Sequence, residues 1–170
     1  QKKGEENYLN NKLHGVSKGW HENGTQKYEC NYNNGLENGI YKTWFENGDL
    51  EFDGSYVEGK MDGVCKSWNS YGLVYERVYD KGEITSGLEL FYYDNGQKKG
   101  EYSSINNKLH GVSKAWYENG TQKHEHNYDY DFKNGVSKKW FENGDLEFDG
   151  SYVKGELDGV CKSWNSYGLV

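Results

Sequence analysis

The chain of 170 residues contains no proline and a single arginine, Arg77. It has three cysteines, one methionine and no long apolar run. Each shortage excludes something. Without proline, no ladder hydrogen bond is lost to a missing N–H, so long uninterrupted strand pairing is permitted. With lysine supplying nearly all positive charge, bidentate phosphate clamps and base reading by arginine are disfavoured. Three cysteines, Cys30, Cys65 and Cys161, make a poor disulfide framework, and free thiols are expected. The run Leu90-Phe91-Tyr92-Tyr93 is far short of the ~20 residues of a membrane helix. Apolar content is only 34% and net charge is −7, which argues against nucleic acid as partner. Aromatics nevertheless reach 16%, with 23 glycines. A disordered chain lacks such aromatics, and a large aliphatic core needs more Leu, Ile and Val.

What is present is a period. Trp20, Trp44, Trp68, Tyr92, Trp116, Trp140 and Trp164 are each 24 residues apart. Gly15, Gly39, Gly63, Gly87, Gly111, Gly135 and Gly159 keep the same step, as do Gly24 to Gly168 behind the aromatics. Repeats of this length mean stacked supersecondary units. A longer repeat lies on top: residues 1–74 and 97–170 are identical at 55 of 74 positions, the mark of a block duplication. The differences gather around residues 28–43 and their copies.

Each unit reads as a hairpin. Gly15–Glu22 and Thr25–Tyr32 flank Asn23-Gly24, a strong type I′ turn signal, repeated at Asn47, Asn95, Asn119 and Asn143. Tyr71-Gly72 and Tyr167-Gly168 imply another turn type. Strand alternation puts Val16, Lys18 and Trp20 on one face and Ser17, Gly19 and His21 on the other. Tyr28, Phe52 and Phe148 form a further aromatic column, and Tyr32, Tyr56, Tyr128 and Tyr152 another. Residues 79–86 read as an incoming loop with Gly82 one place out of register. The expectation is an all-β fold: an elongated single-sheet solenoid of about seven hairpin repeats, one continuous array over residues 1–170.

The unit Asn-Lys-Leu-His-Gly-Val-Ser-Lys-x-Trp-x-Glu-Asn-Gly, best kept at residues 11–24 and 107–120 and followed by a Tyr-x-x-Gly loop, resembles the MORN repeat family. It is more closely similar to the bacterial variant in YwqK-type antitoxin proteins. The endings Asn69–Gly72 and Asn165–Gly168 depart from that pattern. The resemblance implies hairpin arrays that scaffold or bind proteins, with an antitoxin or immunity role in the YwqK type, and transfers no catalytic residue.

Catalytic readings are weak. His124 and His126 share a strand face, but no third ligand stands beside them. His14 and His110 read as turn residues. Glu22, Glu46, Glu118 and Glu142 form a column of equivalent solvated carboxylates, without the asymmetry a glycosidase needs. No P-loop, nucleophile elbow or His-Glu-x-x-His motif occurs. The reading is a non-enzyme with no cofactor and no metal. The rigidly periodic Trp20, Trp44, Trp68, Tyr92, Trp116, Trp140 and Trp164 are read as structural, with lysine stems covering them. His21, Phe45, Phe91, Tyr93, Tyr117 and Phe141 are the candidates for a protein partner, a toxin among the options. The alternatives are a cell-surface glycan- or lipid-binding module and a spacer within a longer repeat protein. Exposed end strands invite end-to-end self-association. The compartment is read as cytoplasmic first, and as cell-surface or secreted should a signal segment have been cut away.

Overall fold

The computed structural model describes residues 2–165 and the backbone of 168–169. The chain divides into two units, Gln1–Thr85 and Ser86–Val170. The described residues are strands and turns, without helix. In the first unit the strands are β1 (Gly4–Glu5), β2 (Tyr8–Leu9), β3 (Lys12–Leu13), β4 (Gly15–Trp20), β5 (Gln26–Asn33), β6 (Leu36–Trp44), β7 (Leu50–Val57), β8 (Lys60–Met61), β9 (Gly63–Asn69) and β10 (Gly72–Asp80). They pair antiparallel in the order β1-β4-β5-β6-β7-β9-β10, with β8 on β7 and β2 on β3. The second unit runs β11 (Glu83–Tyr92, in which the boundary falls), β12 (Lys98–Ile105), β13 (Lys108–Trp116), β14 (Gln122–Asp129), β15 (Phe132–Trp140), β16 (Leu146–Val153), β17 (Glu156–Asn165) and β18 (Gly168–Leu169). Each of these pairs with the next in sequence. The all-β hairpin architecture is as the sequence predicts.

The turns are exchanged relative to that expectation. At Asn23-Gly24 only Gly24 has positive φ, 89°. The Gly24 amide donates to the His21 carbonyl at 3.0 Å, and the His21 amide to the Thr25 carbonyl at 2.9 Å. This is a three-residue loop, a type I turn closed by a glycine bulge, rather than type I′. Asn23 favours it because its Oδ1 accepts the Thr25 amide at 2.9 Å. The same loop recurs from Phe45, Tyr93, Tyr117 and Phe141. Type I′ turns stand at the opposite strand ends, where both central residues have positive φ, as at Asn34 (52°) and Gly35 (89°). The segment 79–86 is therefore no loop: β10 and β11 meet across Lys81 (φ 51°) and Gly82 (φ 91°). The ending Asn69–Gly72 is tighter, and Asn69 Oδ1 accepts the Tyr71 amide at 2.8 Å. Its copy passes through Ser166 and Tyr167, outside the described residues.

The packed face is the one holding Ser17 and Gly19. Register aligns Gly19, Tyr28, Thr43, Phe52, Ser67 and Tyr75 across the strands. The next row carries Ser17, Cys30, Tyr41 and Gly54. Cys30 and Cys65 are fully buried free thiols, and Ser17 is buried with them. No second layer covers these strands within the unit, so the rings must lie flat on the sheet itself. A ring can do so only over a residue with little side chain. A Cβ on Gly19 would stand 2.2 Å from the Tyr28 ring, and one on Gly54 2.8 Å from both Phe52 and Cys65 Sγ. Tyr41 then meets Phe52 and Tyr56 edge-on at 5.7 and 5.6 Å. The aliphatic column, by contrast, is exposed at Val16, Ile40, Val64, Val112 and Val136.

That other face is a charge ladder. Across the first unit, register sets Glu5 beside Lys18, and Glu29, Lys42, Asp53 and Lys66 in succession. Ion pairs form at Lys18–Glu29 (3.0 Å), Lys42–Asp53 (2.9 Å) and Lys66–Glu76 (2.7 Å). In the second unit Lys114–Glu125 (3.3 Å) and Lys138–Asp149 (3.8 Å) repeat it. Half-exposed pairs contribute only ~0–1 kcal/mol each. Their larger effect is on charge: these lysines are balanced by neighbouring carboxylates and form no basic stripe.

The duplication supplies a test of the ring-over-glycine contact. Where the first unit has Gly19 opposite Tyr28, the second has Ala115 opposite His124. Gly19→Ala should destabilise the fold by about 1–3 kcal/mol as overpacking, read as a lower urea midpoint. Adding Tyr28→His should recover most of that loss. Equal stability of Gly19→Ala and wild type would contradict the contact.

Candidate functional site

Each three-residue loop begins with one of the predicted partner residues. His21, Phe45, Tyr93, Tyr117 and Phe141 open these turns, each immediately after the periodic aromatic. The polar tips of His21, Tyr93 and Tyr117 reach the following repeat. His21 Nε2 lies 2.8 Å from the Trp44 carbonyl. Tyr93 Oη donates to the Trp116 carbonyl at 2.9 Å, and Tyr117 Oη to that of Trp140 at 3.0 Å. The turn asparagines add a second staple: Asn23 Nδ2 donates to the Glu46 carbonyl at 2.6 Å and Asn119 Nδ2 to that of Glu142 at 3.0 Å. The sixth candidate, Phe91, sits elsewhere, on the small-residue face of β11, opposite Gly100 and stacked on Tyr102 at 5.7 Å.

Phenylalanine at position 45 cannot make the staple. Asn47 is also turned away, its Nδ2 donating to Asp49 Oδ2 at 2.8 Å. The next turn is pulled back, because Trp68 pairs with Leu73 five residues on, where Trp44 pairs with Leu50 six on. The gap left between the two turns is a groove of about 750 Å³. Phe45, Leu50, Trp68 and Tyr71 line it, with Glu46 and Asp49 on its rim. Phe45 and Trp68 were visible in the sequence as a candidate and a structural aromatic. Asp49, Leu50 and Tyr71 were missed. The signal for them was joint: a phenylalanine where His21, Tyr93 and Tyr117 stand in other repeats, followed by a shortened turn.

A second constellation lies on the small-residue face of the second unit. His124 and His126 stack at 4.6 Å with their rings 9° apart. His126 is buried and shares a hydrogen bond with Ser137 Oγ at 2.8 Å. Lys139 is opposite His124, and Lys133 opposite Tyr128. The Lys133 ammonium lies over the Tyr152 ring at 5.1 Å. Burial pushes the His126 pKa down to about 4, with Lys133, His124 and Lys139 adding repulsion. Burial and three lysines, Lys123, Lys133 and Lys139, lower that of His124 as well. Burial raises the thiols of Cys30 and Cys65 and carries Tyr56 to about 12. His110 belongs to strand β13, not to a turn, and its Nδ1 is 3.2 Å from Asp129. Among the described residues, no group of three or more His, Cys, Asp or Glu is arranged to hold a metal ion. No helix there is long and apolar enough to cross a membrane.

The MORN repeat variant model matches residues 13–34, 37–58, 85–106, 109–130 and 133–154, more than half of the chain. The chain belongs to the MORN repeat variant family. No curated protein matches it. Membership of this MORN family carries a repeat-based binding or scaffold role. The groove lies between a matched MORN repeat and the stretch 59–84, which the matches pass over.

The histidine pair predicts a pH effect whose sign follows from its burial. Between pH 6.5 and about 4 the unfolded chain takes up a proton that folded His126 refuses. The stability held by neutral His126 is full above pH 6.5, falls as pH drops, and levels off near 4. Urea midpoints at pH 7.5, 6.0 and 4.5 should fall further in the wild type than in His126→Cys, which carries the first unit's residue. Parallel profiles would exclude the effect.

Proposed function

We propose that the chain is a non-catalytic scaffold that anchors a protein partner on its turn ridge. The observation that carries this reading is the groove between Phe45 and Tyr71. Its lining combines Phe45, Trp68 and Tyr71 with the exposed carboxylates of Glu46 and Asp49. Tyrosine and tryptophan anchors beside carboxylates suit a lysine or arginine side chain, held over the rings with its charge at the rim. The chain's net charge of −7 favours approach of a basic partner. His21 in the first unit, and Tyr93, Tyr117 and Phe141 in the second, are further candidate contacts at the turns, with Phe91 on the small-residue face. The finer form of the proposal is an antitoxin or immunity protein of the bacterial YwqK type, the partner being a toxin. It is supported by the repeat resemblance. The reading of residues 1–170 as one continuous array rests on the unbroken 24-residue count.

Calorimetric titration with short lysine- and arginine-bearing peptides tests the groove. Wild type should bind, and Phe45→Ser or the pair Glu46→Gln and Asp49→Asn should weaken binding at least tenfold without changing the far-ultraviolet spectrum. Binding of neutral oligosaccharides in preference to peptides would move the site to the glycan class. Absence of any binding would favour the spacer.

A further inference from the structure

We infer that the small-residue face of the second unit binds an acidic peptide segment of a protein, its carboxylates held by Lys133 and Lys139 over the stacked pair His124 and His126. This site does not rest on the groove at Phe45.

The duplication makes the first unit an internal control. The charged faces match residue for residue: Lys18, Glu29, Lys42 and Asp53 recur as Lys114, Glu125, Lys138 and Asp149. The small-residue faces do not. Gly19, Tyr28, Cys30, Glu37, Tyr41 and Thr43 become Ala115, His124, His126, Lys133, Ser137 and Lys139. The substitutions preserve packing. Cys30 opposite Tyr41 becomes His126 opposite Ser137, so a small–large pair is inverted and remains one small and one large residue. What changes is the chemistry offered to solvent. An acid and a neutral residue, Glu37 and Thr43, are replaced by two bases.

Those bases are left without counter-ions. Lys114 and Lys138 on the charged face pair with carboxylates. Lys133 and Lys139 have no carboxylate within ion-pair distance among the described residues, and Lys139 is exposed. They instead face one another's field: the Lys133 pKa is lowered by burial and by Lys139. Facing the pair from their own strand are Lys123, Tyr128 and the two rings; from β15 come Lys133, Ser137 and Lys139; from β13 come only Ser113 and Ala115. Among the described residues, none of the groups that face the pair is an acid. A carboxylate brought between the lysines would relieve their repulsion, and the half-buried His124 ring can donate to it.

Carboxylate is favoured over polyphosphate. The cations are point-charge lysines, with no arginine fork in this unit, and the chain's overall charge of −7 repels a long polyanion. A short acidic segment meets only the local patch.

The test is a titration of the full chain with hexaglutamate, read from the His124 and His126 ring resonances, alongside inorganic phosphate and vesicles of anionic phospholipid. Hexaglutamate should produce saturable shifts at both histidines. The double variant Lys133→Glu and Lys139→Thr restores the first unit's residues, so the frame tolerates it, and should weaken binding more than tenfold. Phe45→Ser should leave it unchanged, which separates this site from the groove. An equal loss in Lys81→Glu, a lysine at a turn of the first unit where another repeat has Glu58, would reduce the effect to net charge and overturn the proposal. So would binding of phosphate or vesicles without hexaglutamate, or no shift at the histidines.

Discussion

An aromatic ring laid flat across a residue almost without a side chain is the contact on which the rest of each unit depends. These strands have water on one face and no second layer on the other. A ring that stood upright would remain wet on both sides. Lying down, Tyr28 covers Gly19 and Phe52 covers Gly54, and both exclude water from the backbone beneath. The requirement then propagates. Every large residue needs a small neighbour across the ladder, which fixes Ser17, Cys30 and Cys65 as surely as it fixes the rings. The charged face answers a different need. Alternating Lys and Glu or Asp keep it solvated, and supply opposite charges along its central row.

Much of this was legible in the sequence. The 24-residue period, the hairpins and the absence of helix all follow from spacing, because a turn every few residues leaves no other way to pair strands. The turn reading failed for an identifiable reason. Asn-Gly was taken as type I′, but the asparagine at 23 spends its side chain on the Thr25 amide, which favours a type I turn with glycine left to supply the single positive φ. Type I′ turns stand at Asn34-Gly35 but equally at Glu58-Gly59 and Lys81-Gly82, which carry no asparagine, so composition did not separate the two kinds of turn. Which face packs is not marked by the alternation alone. Val16, Lys18 and Trp20 look more like a core than Ser17 and Gly19 do. In a single layer the inference reverses, since small residues mark where rings are to lie.

The candidate sites were legible only in part. Phe45 stood out as a variable residue on a periodic frame, but the groove beside it depends on a missing hydrogen bond and on a turn one residue shorter. Neither is visible in Phe45 alone. The sequence shows the His124–His126 pair without a third metal ligand beside it. Its setting among Lys123, Lys133 and Lys139 emerges only when register brings β15 alongside β14. MORN repeats thus provide one frame here with two chemistries, an aromatic groove rimmed by acid in the first unit and a basic patch in the second.

The most direct test of the central contact is to transplant one size-inverted pair between the units. Cys30→His and Tyr41→Ser would be made in the first unit singly and together, and unfolding by urea compared. Each single change breaks a small–large pairing, leaving two large or two small residues face to face. The account predicts that each single variant loses stability and that the double variant recovers most of it. Losses that simply add in the double variant would contradict it.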